Sequence, residues 1–275
     1  MNDDIDTALA ELNERKSAYH QLGRGIVFFL QATLGFEQDV MRQASTYLAE
    51  AEAMAYKEHR QAQRDPRPPR SSIYPPGAEY ALCTAQAQLM SAVVAVLNES
   101  LTESIRGFYK LRKAYVTMDA LIDAEQKYLA GRPTTDKAAL PLGEKENRDR
   151  QSSDPTSEEA VFAGTLDNFI HSGASLCFGL LLILISMIPP AFGRLLFIVG
   201  FKGDRERGVQ LLWRASNQED IHGAMAGLTL LGYYNSLNGF CDILPDEGGE
   251  QSFGYPKERC DALLVRMRTR YPNSR

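Results

Sequence analysis

Histidine and cysteine are scarce in this chain, four of each among 275 residues, and tryptophan occurs once. Cys83, Cys177, Cys241 and Cys260 are far apart, with no C-x-x-C pair and no histidine at ligand spacing, which argues against a zinc site. They read as reduced, buried thiols of an intracellular protein. His20, His59, His171 and His222 have no carboxylate or cysteine partner that sequence spacing fixes, so each reads as a packing or surface histidine. An excess of positive charge is missing too. The net charge is -5 and the pI near 5.5, which argues against a nucleic-acid-binding surface. The first twenty residues, "MNDDIDTALAELNERKSAYH", are acidic and polar, whereas a secretory signal starts basic and then apolar, and a mitochondrial presequence avoids Asp and Glu. The expected compartment is the cytosol, shared with the nucleus or a cytosol-facing organelle surface.

Strand signals are absent as well, and helical periodicity is present almost throughout. Asp3–Leu12 is a short amphipathic candidate. Tyr19–Leu34 carries Leu22, Ile26, Phe29, Leu30 and Leu34 at helical spacing, and Gly35 breaks it. Glu37 opens the next helix, with Val40, Ala44, Tyr47, Leu48 and Ala51 inward, so that the two should pack as an antiparallel hairpin. "RDPRPPRSSIYPPG" (Arg64–Gly77) contains five prolines and cannot be helical; it reads as a solvated loop, with phosphate or anionic-lipid binding as the minor alternative. Tyr80–Leu97 turns Leu82, Ala85, Leu89, Ala92, Val93 and Val96 inward, and Ser100 is placed to cap a long helix from Leu101 to about Leu129.

Residues 1–130 are thus expected to form N-terminal helical hairpins. Gly131–Glu159, rich in proline, charge and serine, reads as a disordered insertion. Residues 160–275 form a second helical part. There Asp204 should cap a helix bearing Val209, Leu212, Trp213 and Ala215, with Trp213 in the core. Ile221–Leu237 is a helix rich in small residues. Pro256 stands in a first turn, and the helix after it carries Leu263, Leu264 and Met267 on one face.

The most apolar stretch is "ASLCFGLLLILISMIPPAFGRLLFIVGFKGDRERG" (Ala174–Gly208). A membrane-spanning helix needs about 20 apolar residues. Ala174–Ile188 is shorter, Pro189 and Pro190 interrupt it, and Ala191–Phe201 carries Arg194. The reading is two buried helices joined by a Pro-Pro elbow, with reversible membrane insertion or partner docking through Ala174–Phe201, and a Pro-kinked span from Asp167 to Arg194, as the alternatives. "GASLC" (Gly173–Cys177) falls one residue short of the hydrolase elbow and sits in a helical pattern without the preceding strand. "VGFKGDRERG" lacks the spacing of a phosphate loop, and Asp204–Arg207 reads as a capped, solvated first turn. No catalytic, cofactor-binding or metal-ligating constellation is read from the sequence, so the chain is not expected to be an enzyme.

Three segments are alike: "ASTYLAEAEAMA", "FYKLRKAYVTMDAL" and "GVQLLWRASNQEDIHGA". Each places aromatic and small residues as the second helix of a tetratricopeptide hairpin does, and each follows an apolar first helix. The expected fold is all-α, with tetratricopeptide-like hairpins forming part of an α-solenoid; an irregular helical bundle is the alternative. "HQLGRGIVFFLQATLGFEQDVMRQAS", "SSIYPPGAEYALCTAQAQLMSAVVAVLNESLTESIRGFYKLRKAY" and "SLCFGLLLILISMIPPAFGRLLFIVGFKGDRERGVQLLWRAS" resemble the inclusion body clearance / tetratricopeptide repeat protein 39 family, in its fungal branch. That resemblance covers nearly the whole chain. It implies a non-catalytic helical-repeat adaptor without cofactors. By this resemblance the protein is involved in clearing misfolded-protein inclusions with lipid droplets, in cytoplasm and nucleus. A mitochondrial outer-membrane association is also attached to the family. Implied partners are other proteins, lipid-droplet proteins among them; the alternative is a lipid-surface module using residues 174–201. Family members are longer, so the chain looks like an N-terminal portion, and an uncovered final helix would then promote self-association.

Overall fold

The computed structural model of the chain describes residues 5–65, 71–98, 101–131, 162, 164–188, 197, 200–237 and 256–272. Outside these residues lie the expected disordered insertion (apart from Gly131), the Ser100 cap, the Pro189–Pro190 elbow, Cys241, and the second apolar helix except Phe197, Gly200 and Phe201. Every regular element among the described residues is helical. They are α1 (Ile5–Glu14), α2 (Ala18–Gly35), α3 (Gln38–Ala62), α4 (Ala78–Leu97), α5 (Leu101–Gly131), α6 (Thr165–Ser186), α7 (Arg205–Ser216), α8 (Ile221–Gly232) and α9 (Lys257–Arg270). A π-turn, Tyr233–Leu237, continues α8.

Local chemistry sets the helix starts. An amide in the first turn has no intrahelical acceptor, and a short polar side chain just before the helix supplies one. Asp204 accepts from the Arg207 amide at 3.0 Å, as its position predicts, and Asp220 accepts from Gly223 at 2.7 Å. Ser17 does the same for His20 at the head of α2. At the other end of α2 the left-handed residue is Phe36 (φ 53) rather than Gly35, and its amide bonds to the Ala32 carbonyl at 3.0 Å.

Three antiparallel hairpins make up most of the described chain. Ala18 at the start of α2 meets Glu58 near the end of α3, while Ala32 packs with Met41 and Ala44 at the opposite ends. In α4/α5, Gly107 faces Ala92 and Ala95, and Tyr74 just ahead of α4 reaches Glu125. In α6/α7, Gly203 abuts Ser186 and Ser172 bonds Asp220. The closest approach is midway: a β-carbon on Gly179 would lie 2.8 Å from the Gly208 carbonyl oxygen, and one on Gly208 would lie 2.7 Å from that of Gly179. Glycine is required at both places because backbone, not a flexible side chain, fills the space. The three repeat-like segments begin in α3, α5 and α7, the second helices of these hairpins. The third runs past Ser216 into α8. This is the all-α, tetratricopeptide-like arrangement that the pattern predicts.

The α4 helix lies among α2, α3, α5 and α6. Its middle is buried all round, since the five consecutive residues Ala85, Gln86, Ala87, Gln88 and Leu89 cannot share one helix face. The α6 helix supplies Ile170, Ala174, Cys177, Phe178, Leu181 and Leu182 to the main core, where Phe178 meets Tyr115 edge-on and Leu82, Met118 and Ile122 close the layer. Because α6 begins at Thr165, it has 22 residues, and its most apolar 18-residue stretch has a mean hydropathy of 2.0. It is therefore long enough to cross a membrane, as is α4 at 1.5, contrary to the shorter reading from Ala174. Both pack inside the protein over half or more of that stretch.

Some expectations of burial are corrected. Leu30 and Leu34 of α2 and Val96 of α4 are exposed, on sides of their helices turned away from the hairpin partners. Leu264 and Val265 face outward, while Leu263 and Met267 are buried, Met267 beside Gly227 of α8. Ser71, Ile73 and Tyr74 are buried too, so the second half of the Arg64–Gly77 loop is part of the core rather than solvated.

Candidate functional site

A groove of about 790 Å³ runs between α3 and α5, the second helices of adjacent hairpins, with α4 beneath it. Small residues pave it: Ala49 and Ala53 from α3, Ala81 and Thr84 from α4. Tyr56 and Val116 stand on opposite walls, 55% and 49% exposed, and present apolar surface that the fold does not use. Glu52 is engaged at both oxygens, by Gln88 Nε2 at 2.8 Å and Lys110 Nζ at 2.8 Å. Arg112 and Lys113 line the α5 side, so that wall is basic. Small residues on the floor let a peptide backbone approach, apolar walls offer anchors, and the basic wall gives direction. Shape and composition suit a segment of another protein better than a small polar substrate.

The frame that holds this groove depends on a buried carboxylate. Glu125 of α5 has no exposed surface. Its Oε2 meets His171 Nδ1 at 2.8 Å and accepts from the Tyr74 hydroxyl at 3.1 Å, and its Oε1 meets Arg214 Nη2 at 2.5 Å. Burial pushes its carboxyl up, yet the hydrogen bond and charge of His171 and the Arg214 guanidinium outweigh burial and hold it below the ordinary carboxylate value. One side chain thus ties α5 to the Ser71–Gly77 segment, α6 and α7. The Tyr74 phenol is pushed well up, by burial first and then by the Glu125 charge, so it remains a neutral donor.

A second chain of polar contacts links α4, α6 and α8. Gln86 Nε2 lies 3.0 Å from His222 Nε2, His222 Nδ1 lies 3.2 Å from Ser172 Oγ, and Ser172 donates to Asp220 Oδ2 at 2.5 Å. These contacts agree on one proton order, with a neutral imidazole donating from Nδ1 to the serine. Burial lowers the His222 pKa, and Asp220 opposes that without reversing it. Serine, histidine and aspartate meet here, but the serine bridges the other two and is completely buried, while Gln86 occupies the far imidazole nitrogen. A nucleophile needs the imidazole between serine and carboxylate and a path for substrate. This arrangement supplies neither and cross-links three helices.

The remaining residues singled out in the sequence are dispersed. His20 bonds Ser17 at 2.7 Å, and His59 bonds the Gly77 carbonyl at 2.8 Å. Cys83, Cys177 and Cys260 are buried free thiols, and burial pushes all three up, Cys177 to about 11. Ser175 of the "GASLC" stretch is buried mid-helix in α6. Trp213 is in the core under the Arg259 guanidinium, 4.0 Å away. The Asp204–Arg207 turn is less solvated than expected: Arg207 lies over the Phe178 ring at 5.3 Å, and Arg205 bonds the Tyr233 hydroxyl. Among the described residues no three His, Cys, Asp or Glu side chains converge as a metal site would require.

The sequence's own resemblance is matched by comparison with known proteins. The profile of the family described as Iml2/Tetratricopeptide repeat protein 39 matches residues 1–275. An inclusion body clearance protein from Aspergillus niger is 46% identical over all of this chain and 46% of its own length. One from Sclerotinia sclerotiorum is 43% identical over all of this chain and 50% of its own. One from Yarrowia lipolytica is 38% identical over 83% of this chain and 37% of its own. This chain spans about half the length, or less, of these relatives. No solved structure matches it.

Proposed function

The chain belongs to the Iml2/Tetratricopeptide repeat protein 39 family, and from that premise we propose that it is a non-catalytic helical-repeat adaptor in the clearance of protein inclusion bodies. The observation that carries the reading is the α3–α5 groove, an unfilled channel with apolar anchors and one basic wall, in a chain whose relatives are named for that process. The groove takes a segment of a partner protein, and Lys113 on its α5 wall favours one with acidic residues. The finer part of the proposal is that clearance proceeds with lipid droplets, in cytoplasm and nucleus. It rests on the family resemblance.

Replacing Tyr56 with Ser and Val116 with Glu tests the groove. Both side chains are half exposed, so folding stability should move by no more than about 0.5 kcal/mol. Fungal cells carrying the double variant in the full-length gene should clear an aggregating reporter more slowly than the parent. Clearance at the parent rate would refute the groove as the partner site. A second reading, a lipid-surface module using residues 174–201, is favoured by one observation. Leu184 in the last turn of α6, Met187 and Ile188 just past it, and Phe197 are exposed at 47%, 51%, 37% and 71%. Flotation with liposomes that is lost in Leu184→Asp/Phe197→Asp would support it; a chain that stays in the soluble fraction would not.

A further inference from the structure

The α3–α5 groove is a furrow between two parallel helices. α3 runs antiparallel to α4, since His59 near its end bonds the Gly77 carbonyl and Met41 near its start shares a cluster with Val94, and α5 is antiparallel to α4 as well. Each wall presents one helix face. Ala49, Ala53 and Tyr56 stand at i, i+4 and i+7 of α3, and Tyr109, Lys113 and Val116 stand at the same spacing on α5. All of these side chains are exposed. On each wall a tyrosine lies beneath a cation four residues further on: Arg60 is over the Tyr56 ring at 6.0 Å, and Lys113 is over the Tyr109 ring at 4.7 Å.

Polar groups along the furrow are already engaged within the fold. Glu52 meets Gln88 and Lys110, the Thr84 hydroxyl donates to the Tyr80 carbonyl at 2.8 Å, and His59 is held by Gly77 and Gln63. An extended segment laid here would set its own amides and carbonyls against alanines and groups already bonded, and unpaired backbone groups are costly. An α-helix bonds its own backbone and needs only side-chain contact. Size agrees with a helix. One about 10 Å across fills about 420 Å³ per turn, so a furrow of about 790 Å³ takes about two turns. Two turns are also the rise from Ala49 to Tyr56. Charge selects the kind of helix. Glu52 is neutralised by Lys110, Arg112 lies over the Tyr115 and Phe201 rings, and Lys113 and Arg60 stand exposed along the rims. A second copy of this face would set cation against cation, whereas acidic flanks are complementary to it.

We propose that the furrow binds an acidic amphipathic α-helix of a partner protein, its axis along α3 and α5. The apolar face of that helix packs between Tyr56 and Val116 and over Ala49 and Ala53, whose small side chains let helices approach closely. Carboxylates on its flanks meet Lys113 and Arg60. The proposal rests on the reading of the groove as the partner site, and it adds the form that the partner takes there.

Fluorescence anisotropy of the whole chain at low salt tests the proposal. The probe is labelled acetyl-Glu-Ala-Leu-Glu-Glu-Leu-Leu-Glu-Ala-Leu-Glu-Glu-Leu-Ala-amide, held helical by a hydrocarbon bridge on its polar face. Two controls accompany it: an unbridged form with proline for the central alanine, and a bridged form with lysine for every glutamate. The bridged acidic peptide should bind one to one and more weakly as salt rises, and each control should bind about tenfold more weakly or worse. Ala49→Gln/Ala53→Gln fills the furrow without changing its charge and should weaken binding about tenfold or more, as should Tyr56→Ser/Val116→Glu. Lys113→Glu should exchange the preference, weakening the acidic peptide and strengthening the lysine form. Glu50→Gln, exposed on α3 but outside the lining of the furrow, should change nothing. All the substituted side chains are exposed, so the variants keep the fold. Equal binding of the bridged and proline forms would overturn the helix and leave the groove as the partner site. So would no binding of any peptide while Tyr56→Ser/Val116→Glu still slows clearance; no binding together with clearance at the parent rate would remove both. Undiminished peptide binding in Tyr56→Ser/Val116→Glu and in Ala49→Gln/Ala53→Gln would overturn the proposal as well. A dimer of the chain, or capture of anionic phospholipid vesicles, that the same variants abolish would give the furrow to a second copy or to a lipid surface and also overturn it.

Discussion

Replacing Glu125 with alanine should be among the most damaging single changes in this chain. The carboxylate is fully buried and accepts from groups on three other segments: Tyr74, His171 and Arg214. Truncation removes the Glu125 carboxylate from the His171 imidazole, 1% exposed, and from Nη2 of the Arg214 guanidinium, 22% exposed. Removing one partner of a buried ion pair costs about 3–5 kcal/mol, mostly through the charge left behind. For a chain of this size that lowers the melting temperature on the order of 10 °C. Glu125→Gln should fall between alanine and the parent, since it keeps an acceptor but not the charge. The assay is urea unfolding followed at once by far-ultraviolet circular dichroism and by fluorescence of Trp213, the chain's single tryptophan. Trp213 reports on the α7–α9 side, so coincident transitions in the parent would show that the hairpins unfold together. In Glu125→Ala the two probes should separate, because the polar tie from α5 to α6 and α7 is gone and only the apolar core still joins them. A cost below about 1 kcal/mol with coincident transitions would refute the argument that this carboxylate joins the hairpins.

Trp213→Ala should cost about 3–5 kcal/mol in the same assay, as expected for an indole that is 6% exposed in the core; a change under about 1 kcal/mol would mark it as a surface group. Gly179→Ala should cost about 1–3 kcal/mol or more, because its β-carbon meets the Gly208 carbonyl and not a yielding side chain, whereas Gly131→Ala, with open space around it, should be neutral or stabilising. Acidification should destabilise the chain in two steps. The lowered His222 pKa means that the unfolded state takes up the proton first, so stability falls as pH drops through the ordinary histidine value near 6.5; the lowered Glu125 pKa adds a loss once pH drops below about 4.5. His222→Gln should flatten the upper part of a plot of melting temperature against pH, and an unchanged slope between about pH 5 and 7 would count against the assignment.

Helix identity was legible in the sequence wherever a periodic apolar stripe met a short polar cap. Asp204 and Pro256 mark helix starts from local chemistry alone, and the three repeat-like segments fall in the second helices of the three hairpins. Periodicity failed for α4. A helix whose middle is enclosed all round has no outward face there, so polar Gln86 and Gln88 are buried beside Leu82 and Leu89 and no single stripe describes it. It also misled in α2, α4 and α9, where Leu34, Val96 and Leu264 fall in the apolar pattern but are exposed while Ala32, Val94 and Leu263 close by are buried.

The buried polar network was the least legible feature, for a reason that follows from chain topology. Glu125 is separated from His171 by 46 residues and from Arg214 by 89, so no local spacing can pair them. A trace is nevertheless present. Met118, Leu121, Ile122 and Glu125 occupy positions i, i+3, i+4 and i+7 of one helix, which places the glutamate on the inward stripe. His171 stands in the same way in line with Ala174 and Phe178. A charged residue on a buried stripe demands a buried counter-charge, and a histidine and an arginine on other inward stripes are the few groups able to supply it. Such residues, out of keeping with their own helix face, locate the contacts that assemble helical hairpins into one body.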